Sequence, residues 1–191
     1  MIEGGMFMKV KKMTFGAMCL ALSLLLPQVF HMIGMQQAGS IFLPMHLPVF
    51  IGGMLLGPMY GLVLGIFAPI TSCFFTGMPP YERVLFMSCE LATYGMVSGL
   101  LFHQFTLKKQ KAASLFALLL SMIAGRIIYA IVISIATYLF NIPFGGVMVV
   151  IYATITGIPG IIIQCFLVPL VVHVIERGGY FHESDTITNN A

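Results

Sequence analysis

Between Met13 and Leu107 only Glu82, Arg83 and Glu90 carry charge, and between Ala112 and Ile175 only Arg126 does. A water-soluble domain has roughly a quarter of its residues charged; here the share is 8%, against 59% hydrophobic. With a mean hydropathy of +1.02, the chain belongs in lipid. Inside a bilayer each remaining polar or ionisable group is costly, which makes it a functional candidate. Those groups are His46, Glu90, Arg126, Asn141 and Gln164.

A hydrocarbon core about 30 Å thick needs roughly 20 residues per spanning helix, so the apolar mass provides about six spans. The expected fold is an all-α integral membrane protein, a single domain over residues 1–191. Turn signals place its helices at about 14–34, 44–58, 59–76, 83–105, 112–140 and 146–175, with a polar tail over 178–191. Pro44 suits the first turn of the second helix. Met35 to Ser40 reads as a flexible connection, and Gly157-Ile158-Pro159-Gly160 as a bend in the last helix. The first apolar run follows Lys9, Lys11 and Lys12, but it is longer than the apolar core of a signal peptide. No A-x-A site follows it either.

Parity gives orientation. With both termini cytoplasmic, Lys9, Lys11, Lys12, Lys108, Lys109, Lys111 and Arg177 all fall inside, leaving Arg83 outside and Arg126 in the membrane. That distribution follows the positive-inside rule.

Rise per residue then sets depth. Glu90 lies two turns beyond Arg83, roughly 10 Å below the outer face, and Arg126 lies four turns beyond Ala112, roughly 21 Å above the inner one. The two charges are therefore expected at one level. Arg83, Met87, Glu90 and Tyr94 share one helical face, and Arg126, Tyr129, Ile133 and Thr137 share another. A mid-membrane charge costs about 2.5–3.5 kcal/mol on insertion scales. Two arrangements offset that cost: a buried Glu90–Arg126 pair that only locks helices, or an outward-opening pocket that binds a polar solute. His46, between Pro44 and Pro48, is an interfacial hydrogen-bonding residue or a ligand contact. Gln164 is a helix–helix contact or a pocket group, and Asn141 reads as a turn residue. His31, His103, His173 and His182 receive no role.

Gly53, Gly57, Gly61 and Gly65 recur every four residues, as do Gly95 and Gly99, and Ala17 and Ala21 form a similar pair. Such spacing permits close helix approach in lipid. Cys19, Cys73, Cys89 and Cys165 have no metal-ligand spacing and read as small hydrophobes. No metal or cofactor is implied, and a net charge of +3 does not point to nucleic acid. There is no GxxxxGK[ST] loop, no HExxH and no nucleophile elbow at Ser98. The chain carries no ATP-hydrolysing motif, and an intramembrane enzyme fits poorly.

Pro44-Met45-His46-Leu47-Pro48-Val49-Phe50, Gly57-Pro58-Met59-Tyr60-Gly61, Thr76-Gly77-Met78-Pro79-Pro80 and Glu90-Leu91-Ala92-Thr93-Tyr94-Gly95 together resemble an S component. S components are the substrate-binding subunits of energy-coupling factor (ECF) vitamin transporters. The likeness runs nearly the whole chain and is closest to the pantothenate and hydroxymethylpyrimidine branch. It implies a multi-pass protein of the bacterial plasma membrane that captures a vitamin or precursor of pantothenate, hydroxymethylpyrimidine or pyridoxine type. The same resemblance implies docking on a transmembrane coupling protein with two ATPase subunits. Ala17 and Ala21 match the family's alanine stripe on the first helix, although Leu25 stands where a third alanine would follow. The segment from Gln36 to Leu43 would be the lid. Glu90, Arg126, His46, Tyr94, Tyr129 and Gln164 are the candidate ligand contacts. A self-sufficient channel or facilitator is the alternative.

Overall fold

In a computed structural model, the structure describes residues 2–32, 34, 38–107, 112–139 and 146–178. Asn141, Gln36, Gln37, Lys108, Lys109, Lys111, His182 and the tail beyond Gly178 lie outside the described residues. The elements are α1 (Ile2–Met32), α2 (Ala38–Phe42), α3 (His46–Leu56), α4 (Pro58–Thr76), α5 (Tyr81–Leu107), α6 (Ala113–Tyr138), α7 (Val147–Thr156) and α8 (Ile158–Arg177). Among the described residues every element is helical. Six segments are long and apolar enough to cross a membrane: Met8–Phe30, Gly39–Leu56, Pro58–Thr76, Tyr81–Thr106, Ala113–Tyr138 and Ile158–Arg177.

Two boundaries differ from expectation. The first helix starts at Ile2 rather than near Thr14, because its lysine-bearing segment continues the helix without a breaker. The second span is two pieces. Ala38–Phe42 forms a helical turn where a flexible link was expected, and Pro44 lies in the turn before α3 rather than in its first turn. The last helix breaks at Gly157, between α7 and α8, within the Gly157-Ile158-Pro159-Gly160 cluster read as a bend. Pro159, in the first turn of α8, has no N–H to continue the ladder.

α5 is the central helix, packed against α3, α4 and α6. Glycines make that packing possible. A Cβ on Gly61 would strike the backbone carbonyl of Gly95, one on Gly65 that of Leu91, and one on Gly99 that of Gly53. The α3–α4–α5 seam is thus backbone against backbone, the close approach that small residues allow in lipid. Gly57 breaks the series: with φ 104 it turns the chain between α3 and α4, its N–H bonding to the Gly53 carbonyl at 3.0 Å. Only glycine adopts that conformation without strain.

The main core gathers Val49, Phe50, Leu91, Leu118, Val168 and Val172 from α3, α5, α6 and α8. Hydroxyls bond their own helices, as Ser23 Oγ to the Cys19 carbonyl at 2.8 Å and Thr93 Oγ1 to the Cys89 carbonyl at 2.8 Å. This satisfies polar groups where water is absent. Outward lie apolar side chains such as Phe74, Phe75, Phe166 and Leu170. Such continuous apolar exposure suits lipid contact and would aggregate in water.

Candidate functional site

The charges on α5 and α6 meet. Arg126 Nη1 stands 3.0 Å from Glu90 Oε1, so two groups placed at one depth by helical rise form an ion pair. The same carboxylate oxygen accepts a hydrogen bond from Tyr94 Oη at 2.6 Å, one turn further along α5. Gly125, beside Arg126, leaves the space that the Tyr94 ring occupies; a Cβ there would collide with the ring. Tyr94 in turn lies against Phe50, with centroids 5.1 Å apart, and against His46 at 5.5 Å. Packing therefore fixes the rotamer of the group that holds Glu90.

Glu90, Arg126, His46 and Tyr129 line a cavity of about 330 Å³. Its walls continue through Ser40, Leu43 and Pro44 on the α2 side and through Met78, Pro79 and Pro80 at the α4–α5 turn. Ser72 Oγ donates to the Met78 carbonyl at 2.7 Å, tying that turn to α4. Arg83 and Met87 complete the α5 wall, so the face running from Arg83 to Glu90 looks into one space.

Tyr94 and Gln164 are not in the lining. Tyr94 supports Glu90 from behind. Gln164 is fully buried on α8, and its Nε2 donates to the Leu43 carbonyl at 3.1 Å. The His46 N–H donates to the same carbonyl at 3.0 Å. Leu43 has φ 49, a left-handed conformation that non-glycine residues rarely hold. Two donors on its carbonyl hold it there, and strain of this kind concentrates at ligand clamps and switch regions. Gly160 gives α2 its seat, since a Cβ there would strike the Ile41 and Phe42 backbone. His46 is 3% exposed, and its Nδ1 has no hydrogen-bond partner among the described residues.

The sequence puts Arg83 on the Glu90 face and Ser40 within the expected lid segment, but neither they nor the Met78–Pro80 turn stand among the candidate ligand contacts. Arg83 was legible: it sits two turns before Glu90 on one face. The turn was not, since its place in the wall depends on how α4 meets α5.

Ala17 and Ala21 are exposed on α1, while Gly16, Cys19 and Ser23 face the core. Met13, Met18, Leu22 and Leu25 extend that outer face as apolar surface.

No curated protein and no solved structure matches the chain. A family model does, across residues 11–172, which takes in every residue of the cavity wall. This chain belongs to the family of ECF transporter substrate-specific components.

Proposed function

We propose that this protein captures a water-soluble vitamin or vitamin precursor from outside the cell and holds it in the cavity beneath α2. It then releases the ligand through a coupling protein driven by two ATPase subunits. The observation that carries this reading is the Glu90–Arg126 pair opening onto a cavity of about 330 Å³ inside an otherwise apolar bundle. Ligand pockets run from about 300 to 1,000 Å³, so this one suits a small molecule. Vitamins of pantothenate, hydroxymethylpyrimidine or pyridoxine type fall in that size class. α2 with Leu43 acts as the lid, and Gln164 anchors its hinge. Both termini face the cytoplasm of a bacterial cell, where the lysines of the N-terminal segment and those between α5 and α6 satisfy the positive-inside rule.

The outer face of α1 at Ala17 and Ala21 is the docking surface for the coupling protein. The test is assembly: co-expressed with a coupling protein and its ATPases, the chain should purify as a stable complex. Failure to associate with any such module would contradict the reading.

A further inference from the structure

The charges around the cavity do not cancel. Glu90 is the one carboxylate in its wall among the described residues, and Arg126 neutralises it at 3.0 Å. Arg83 also lines the cavity, from the first turn of α5 at its exposed mouth, and no carboxylate pairs with it among the described residues. Its neighbour Glu82 is outside the lining, as expected, since adjacent helical residues do not share a face. The Arg83 N–H donates to the Pro80 carbonyl at 2.8 Å, which seats this turn of α5 on the cavity rim.

We infer that the ligand is a small monocarboxylate whose anionic end is held by Arg83 at the cavity rim, while the Glu90–Arg126 pair faces its hydroxyl or amide groups. This rests on the reading of the cavity as the ligand site. The guanidinium fork matches a carboxylate in a bidentate geometry. One uncompensated charge fits a monoanion. A phosphate dianion would carry one charge more than the lining's single net positive charge offsets.

Two measurements on the full chain in lipid nanodiscs test this. The first is mass spectrometry of any small molecule released on denaturation, with carbodiimide coupling to reveal a carboxyl group. The second is thermal stabilisation and calorimetry with matched probes: pantothenate against panthenol, nicotinate against nicotinamide, and biotin against its amide. At least one acid should raise Tm while its neutral partner does not. Arg83→Gln should weaken that acid about tenfold, the size of a charge-assisted hydrogen bond, and Arg83→Lys, which keeps the charge without the bidentate fork, should restore only part of the loss. A neutral partner that binds as tightly as its acid, a released molecule without a carboxyl, or an unaffected Arg83→Gln would overturn the inference while leaving the transport reading standing. If no molecule is released and no probe shifts Tm, the inference falls, and if pyridoxine and hydroxymethylpyrimidine also leave Tm unchanged, the reading of the cavity as the ligand site falls with it.

Discussion

Glu90 Oε1 accepts from both Arg126 Nη1 at 3.0 Å and Tyr94 Oη at 2.6 Å, so one carboxylate oxygen joins α5 to α6 at the wall of the cavity. The pair is buried unequally. The Glu90 side chain is 6% exposed and that of Arg126 17%, so the arginine is the partner within closer reach of solvent.

Arg126→Met should leave Glu90 with the tyrosine alone and lower stability by about 3–5 kcal/mol, the usual cost of removing one member of a buried pair. Adding Glu90→Gln should recover most of the melting temperature without recovering ligand affinity. Thermal melts and calorimetry in detergent read the two quantities separately. A double variant that binds as tightly as the parent would make the pair purely structural.

The glycine seam predicts an asymmetry among small substitutions. Gly61→Ala should cost about 1–3 kcal/mol as an overpacked contact, because the new methyl meets the Gly95 backbone rather than a movable side chain. Gly16→Ala should be neutral or mildly stabilising, since its Cβ would sit 3.5 Å from Leu56 Cδ1 and alanine favours helix. Equal melting temperatures for the two variants would contradict this packing.

Gln164→Leu keeps the volume and removes the donor to the Leu43 carbonyl. We expect a loss of about 1 kcal/mol and faster amide hydrogen exchange across 38–43. Ligand dissociation should accelerate roughly fivefold. Unchanged exchange in that segment would show that α2 is held by its seat on Gly160 alone.

The alanine face of α1 is tested by bulk. Ala17→Leu or Ala21→Leu should block association with the coupling protein while leaving ligand affinity unchanged, because leucine prevents close helix approach. Weakened ligand binding instead would make this face part of an internal seam.

Glu90 and Arg126 were legible in the sequence because lipid leaves few charges to choose from, and regular helical rise converts sequence position to depth. The spans were legible for the same reason, since glycine and proline clusters punctuate long charge-free runs. α2 was not. Ala38-Gly39-Ser40 has the composition of a link, and its helical turn is secured by tertiary contact with Gly160 far along the chain. Gln164 was equally opaque: its partner Leu43 lies 121 residues away, and no local pattern announces a bond to a backbone carbonyl. Tyr94 was chosen for its face, which is correct for the helix. Yet Gly125 on α6 draws its ring behind the wall rather than into the cavity.

The most direct test of the central claim is solute uptake by proteoliposomes containing the full chain with and without a coupling protein and its ATPases. The account predicts concentrative uptake only when the whole module and ATP are present, with high-affinity binding but no accumulation or equilibration by the chain alone. Solute crossing the membrane through the isolated protein, down its gradient or against it, would contradict the account and identify a self-sufficient facilitator.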